Sequence, residues 1–147
     1  MRTVTDEEVI TELRRIAAAH GGVAKAQAVV NAARNKRSVL HPYFDWDDSE
    51  AGESWRLHQA RNLLRVVVMY EPIDEKRSVE CRVFVSLTTD RDNDGGGYRV
   101  THTVLSDPEQ RRQLLCDARS EMKRFIAKYQ KLDELAKVFA AMNDALD

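Results

Sequence analysis

Three groups of residues have the types and spacing to do chemistry. Five acids crowd the stretch LHPYFDWDDSEAGESWRLHQARNLLR, residues 40–65: Asp45, Asp47, Asp48, Glu50 and Glu53. Carboxylates gathered in this way are what a metal-dependent nuclease uses to hold its ions. Asp90-Arg91-Asp92-Asn93-Asp94-Gly95 opens like a calcium loop. The third group is basic and polar: Lys25, Gln27, Asn31, Arg34, Lys36 and Arg37, side chains able to contact phosphates and base edges.

The acids have a plainer use. Asp47 reads as a helix N-cap, Glu50 three residues on completes a capping box, and Trp46 can staple against Ala51. Asp48 and Glu50 then fall in a first helical turn, where the dipole favours negative charge. The calcium pattern fails after its first half. Gly97 stands where an apolar residue belongs, Thr101 replaces the bidentate Glu, and strands flank the loop. Gly95-Gly96-Gly97 lacks the Lys-Ser/Thr of a phosphate loop, and the dinucleotide motif is missing too. His20, His41, His58 and His102 are scattered, with no metal spacing to Cys81 or Cys116. No Ser/His/Asp order or G-x-S-x-G occurs. The expectation is a protein that is not an enzyme, with no cofactor and no metal.

Composition narrows the partners. With 23 Lys/Arg against 24 Asp/Glu the net charge is −1, so no global field draws in nucleic acid. The charge is uneven, however. Residues 1–40 carry seven Lys/Arg against four Asp/Glu, and their positive charge gathers around Arg34, Lys36 and Arg37. No apolar run approaches the roughly 20 residues of a membrane span, and MRTVTDEEV has no signal-peptide core. Two lone cysteines suit a reducing compartment. The expected location is cytoplasmic.

The elements that must position these residues follow from periodicity. Thr5 with Glu8 forms a capping box for a first helix from Asp6 to about His20, which Gly21-Gly22 stops. A second helix runs from Val23 or Ala24 to Ala33, with Val29, Val30 and Ala33 inward and the basic group outward. Two helices around a glycine turn read either as a helix-turn-helix or as a plain helical hairpin. The central helix is expected from Asp48 to about Arg65, burying Ala51, Trp55, Ala60, Leu63 and Leu64 and turning Arg56, Gln59, Arg61 and Asn62 mostly outward. Val66–Tyr70, Ser78–Leu87 and Tyr98–Leu105 read as strands. In the second of these, Val79, Cys81, Val83, Val85 and Leu87 share the core face. Asp107-Pro108 opens the last helix. From Leu115 its apolar residues step by three and four as a heptad seam, which predicts one helix of roughly 38 residues, about 57 Å long, or two antiparallel helices broken near Gln130-Lys131.

The fold class expected is α+β. It comprises an N-terminal helix pair (helix-turn-helix-like), a central helix, a small antiparallel sheet of about three strands and a long C-terminal heptad-patterned helix. Residues 1–105 form the globular domain and 106–147 the helix that packs and dimerises, through Leu115, Met122, Phe125, Tyr129, Leu132 and Phe139.

Val39-Leu40-His41, Phe44-Asp45-Trp46-Asp47-Asp48 and Arg56-Leu57-His58-Gln59-Ala60-Arg61-Asn62-Leu63-Leu64-Arg65 carry a resemblance. The chain resembles a family of small proteins encoded by tailed phages and prophages, over about half its length counting Ala17–Gly22 and Ala28–Arg34. The resemblance brings no catalytic residue with it. The function expected is a non-catalytic phage or prophage DNA-binding accessory protein, dimeric through its C-terminal helix. Its phosphate contacts would come from the basic N-terminal residues, with Arg14 and Arg15 as additions. The alternative is a protein–protein interaction adaptor or host-factor inhibitor with no nucleic-acid binding, acting through the C-terminal helix and the aromatic loop. The partners expected are DNA through its phosphates, a second copy of the chain and a host protein, with no membrane.

Overall fold

A computed structural model describes residues 4–48, 51–93 and 95–147. Its backbone packing divides the chain into two units, Met1–Ser106 and Asp107–Asp147. The fold is α+β, with N-terminal helices, a central helix, a three-stranded antiparallel sheet plus a hairpin, and a long C-terminal helix.

Helix α1 (Glu7–Ala19) buries Val9, Ile10, Leu13, Ile16 and Ala17. Its cap is Asp6 and not Thr5. The Asp6 carboxylate accepts from the Glu8 and Val9 N–H groups at 2.9 and 3.3 Å, satisfying two amides at once. Gly21 and Gly22, with φ of 67° and 90°, turn the chain sharply. They lead into a short strand, β1 (Val23–Ala24), where the pattern predicted the start of a helix. Helix α2 is therefore shorter, Ala26–Ala33, and buries Ala26, Val29, Val30 and Ala33.

A 3-10 turn, His41–Tyr43, precedes α3 (Gly52–Val66). This helix starts four residues later than expected. Ala51, not Asp47, stands at its cap, without a side-chain bond. The capping box through Glu50 falls on a position outside the described residues. Gly52 is required here, because a Cβ would drive into the Asp47 carbonyl oxygen. The inward stripe also differs from expectation: Arg56, Ala60, Leu63 and Leu64 are buried, and Trp55 is 50% exposed. Spacing of i, i+4, i+7, i+8 describes that stripe equally well, so periodicity did not separate Arg56 from Trp55.

The three-stranded sheet has the order β1-β5-β4, and the hairpin β2–β3 stands apart from it. Strands β2 (Val68–Pro72) and β3 (Ser78–Arg82) pair from Val68↔Arg82 to Pro72↔Ser78. Most of β3 is exposed, including Val79 at 44%, so of the expected core face Val83 and Leu87, which follow the hairpin, are buried and Val79 is not. The chain bends at Val83 before β4 (Phe84–Val85), and Val83 and Phe84 are both buried. One bend residue shifts the alternation by one, which carries Phe84 from the predicted outer face to the core. A short helix α4 (Thr88–Arg91) follows in the expected loop. Strand β5 stops at Val100 (Tyr98–Val100), and α5 (Thr101–Ser106) replaces the rest of the predicted strand. Its partners β1 and β4 are two residues each, so backbone beyond Val100 has no ladder and satisfies itself as helix.

In the second unit α6 (Pro108–Tyr129) is capped by Asp107, which accepts from the Glu109 and Gln110 N–H groups at 3.0 and 2.9 Å, with Pro108 at the first helical position. The single 38-residue helix does not form. The chain turns at Gln130, Leu132 is extended (φ −84°, ψ 96°), and a 3-10 turn, Asp133–Leu135, leads to α7 (Ala136–Leu146). The break brings Phe139 within 6.1 Å of Phe125 between ring centroids and buries it. That burial offsets the interrupted helical bonds, two of which are replaced by Leu132 N–H to Tyr129 and Leu135 N–H to Leu132.

Candidate nucleic-acid interface

The basic and polar group predicted to face nucleic acid is exposed in part and committed in part. Gln27, Asn31 and Arg34 lie on the outer side of α2, as expected. Glu53 of α3 reaches across to them. Arg34 Nη2 donates to both Glu53 oxygens, at 2.8 and 2.7 Å, and Gln27 Nε2 donates to Glu53 Oε1 and Asn31 Oδ1, each at 3.1 Å. From the other side Arg56 Nε and Nη2 donate to Glu53 Oε2 at 3.2 and 3.1 Å. Two guanidinium groups and an amide thus converge on one carboxylate. Arg34, then Gln27, then Arg56 hold the Glu53 pKa down at about 2.

The aromatic loop supports this ion cluster from behind. Trp46 stacks on His41 at 4.7 Å with planes 8° apart, and Arg56 and Arg34 sit 5.4 and 6.0 Å from its ring centroid. The Trp46 indole N–H donates to the His41 carbonyl at 3.0 Å, and His41 Nδ1 donates to the Ala33 carbonyl at 2.8 Å. Arg56 Nη1 donates to the Asp47 and Asp45 carbonyls at 2.8 and 3.3 Å. A buried guanidinium with this many acceptors is satisfied, which is why Arg56 is tolerated at 6% exposure. Of the acids in residues 45–53, Glu53 fastens α2 to α3 with its carboxylate, and Asp45 and Asp47 hold Arg56 through their backbone carbonyls.

Of the remaining predicted contacts, Lys25, Lys36 and Arg37 are exposed. Lys36 and Arg37 follow α2, and the Arg37 amide is held by Asn35 Oδ1 at 2.9 Å. Arg15 is paired with Glu12 at 2.6 Å, and Arg14 Nη2 lies 3.4 Å from Met69 Sδ, so neither projects freely.

The sequence reading turned Arg61 and Asn62 of α3 outward, as they are, but did not take that face as a candidate contact surface. Ser54, His58, Arg61 and Arg65 are all exposed, opposite the buried Arg56, Ala60, Leu63 and Leu64. Among the described residues Arg61 and Arg65 make no hydrogen bond or ion pair. They lie four residues apart, hence on one line of the helix. The spacing gave Arg61 its outward place, while Trp55 and Arg56 exchanged the sides expected of them.

Other candidate chemistry is already occupied. Asp90 is buried and takes a two-pronged bond from Arg99 Nε and Nη2 at 2.7 and 2.9 Å, so the first acid of the calcium-like stretch is spent on β5. Asp94 lies outside the described residues. Gly97 admits β1 close by, since a Cβ there would collide with Val23 Cγ1. Both cysteines are free thiols. Burial, with the Glu71 carboxylate adding to it, pushes the Cys81 thiol up, the reverse of what a nucleophile needs. Glu71 also accepts from His102 Nε2 at 2.7 Å. No three or more His, Cys, Asp or Glu among the described residues are gathered to hold a metal. No helix is long and apolar enough to cross a membrane among the same residues. Within the C-terminal unit Phe125, Tyr129 and Phe139 of the predicted seam pack on each other, Met122 is half-buried, and Leu115 and Leu132 are 50% and 46% exposed.

Compared with protein-family models, curated proteins and solved structures, the chain matches none.

Proposed function

We propose that this chain is a non-catalytic DNA-binding accessory protein of a phage or prophage, and that α3 is the helix it lays in the major groove. The observation that carries the reading is the outer face of α3. Arg61 and Arg65 are exposed on one line beside Ser54 and His58, without protein partners among the described residues. A helix held from behind by its neighbours and presenting arginines is suited to base-edge and phosphate contact.

The element order adds support by analogy with a fold class. Leaving aside the inserted hairpin β2–β3, the 3-10 turn and the short helices α4 and α5, the first unit runs helix, strand, helix, helix, strand, strand, with the last strand between the other two. Winged helix-turn-helix modules share this order, and their third helix is the reading helix. Here the link from α2 to α3 is much longer than the usual three or four residues, and it carries the exposed Lys36 and Arg37 as phosphate contacts. Gln27, Asn31 and Arg34 act at one remove in this reading, by fixing α3 through Glu53. A homodimer through the exposed Leu115, Leu132 and Val138 would double the footprint.

Anisotropy of a labelled duplex at low salt tests the proposal. Four phosphates neutralised by Lys36, Arg37, Arg61 and Arg65 give a slope of roughly −3.6 for log K against log salt. Arg61→Ala with Arg65→Ala should lower that slope by about 2 and weaken binding at every salt concentration. A duplex that does not bind, or a slope the double substitution leaves unchanged, overturns the assignment.

A further inference from the structure

Beside the arginine line, on the flank of α3 facing the N-terminal segment, runs an open groove of about 970 Å³. Its floor is Val4, Val39, Leu63 and Val66, and its walls are Pro42 and Tyr43 on one side and Trp55 on the other. Trp55 is 50% exposed and Tyr43 36%, an unusual exposure for rings of this size. Trp55 does not swing freely, because His58 stacks on it at 5.3 Å with planes 25° apart. Gln59, also in the lining, is held by the Asp45 amide, which donates to its Oε1 at 3.0 Å. Asn62 supplies a second carboxamide on the same wall.

The charge of this lining is one-sided. Among the described lining residues the only side chains charged at neutral pH are Asp6 and Glu8, and no Lys or Arg borders the groove. A strand of nucleic acid would set phosphates against those carboxylates. A cation gains from both the carboxylates and the ring faces, while Pro, Leu or Val beside it can fill the apolar floor. Carboxamides along one wall suit the N–H and C=O groups of an extended backbone, as in aromatic grooves that take proline-rich segments.

We infer that this groove is a docking site for a basic, partly apolar extended peptide segment of a partner protein. The Lys or Arg of that segment lies over Trp55 toward Asp6 and Glu8, and its apolar residues rest between Tyr43 and Leu63. The site is separate from the α3 arginines, so the inference stands whether or not the chain binds DNA.

Selection of a displayed random peptide library on the immobilised full chain tests it, followed by titration calorimetry with the winning peptides. The selected peptides should carry Arg or Lys next to Pro, Leu or Val. Their affinity should fall roughly tenfold or more in Trp55→Ala and in Glu8→Arg. Asp6→Asn, which keeps a capping side chain while removing the charge, should weaken binding in the same direction. Arg61→Ala with Arg65→Ala should bind the peptides as the parent does. Circular dichroism of each variant shows that it remains folded, as expected for exposed positions. The inference is overturned by a selection that enriches nothing or enriches acidic peptides. Affinity indifferent to Trp55 and Glu8, or peptides displaced by single-stranded oligonucleotide, overturns it equally.

Discussion

Glu53 shows how one side chain can organise a surface. A carboxylate 41% exposed would ordinarily be a solvated charge, but here it gathers Arg34, Gln27 and Arg56 and ties α2 to α3. Its depressed pKa has a definite consequence for stability. A carboxyl held at about 2 against an ordinary 4.5 stabilises the folded state fully above that ordinary value. The contribution is then lost as pH falls through the interval toward 2. Melting temperatures measured across this interval should therefore show the gap between parent and Glu53→Gln closing as the solution is acidified. Added salt should narrow the gap at neutral pH, because the cluster is partly exposed. A gap constant with pH would mean that the ion cluster contributes nothing. This cluster was half legible in the sequence. The acids were read as structural, but Glu53 was left as a solvated charge without a partner, since local rules do not reach Arg34, 19 residues away.

At the scale of elements, helix termini with their own caps were the most readable. Asp107-Pro108 announces α6, and the structure places both residues in those roles. Asp107→Ala should lower the stability of this helix by about 1 kcal/mol, read as a loss of helical signal at lower temperature. Unchanged melting would show that water satisfies the freed amides equally well. The strands were less readable, for a physical reason. Alternation names a face only while the ladder is regular, and the bend at Val83 and the two-residue partners β1 and β4 break it. The central helix shows the same limit. Its amphipathic pattern was clear, yet a buried Arg and an exposed Trp invert the ordinary assignment of those residue types. Arg56 is inside because two loop carbonyls and Glu53 are there to receive it.

At the scale of the whole molecule, the proposed dimer rests on the C-terminal unit. Part of its apolar seam is consumed by its own turn, Phe139 on Phe125, which leaves Leu115, Leu132 and Val138 as the exposed apolar residues available to a second copy. Light scattering of the parent at micromolar concentration should give a dimer, and Leu115→Glu with Leu132→Glu a monomer. A monomeric parent ends the dimer proposal. Taken by itself, the sequence determined the α+β class, the helices α1, α2, α3 and α6, the exclusion of familiar catalytic motifs and the concentration of positive charge before residue 40. Each of those depends on local spacing or composition, which a linear chain displays directly. Only the tertiary structure decided that Arg56 turns inward on α3 and Trp55 outward, that Glu53 draws in Arg34, Gln27 and Arg56, that the last helix breaks at Gln130, and that Trp55 borders a groove with Asp6 and Glu8. These depend on residues far apart in the chain competing for the same buried space and the same hydrogen bonds, and that competition is settled only when the elements pack.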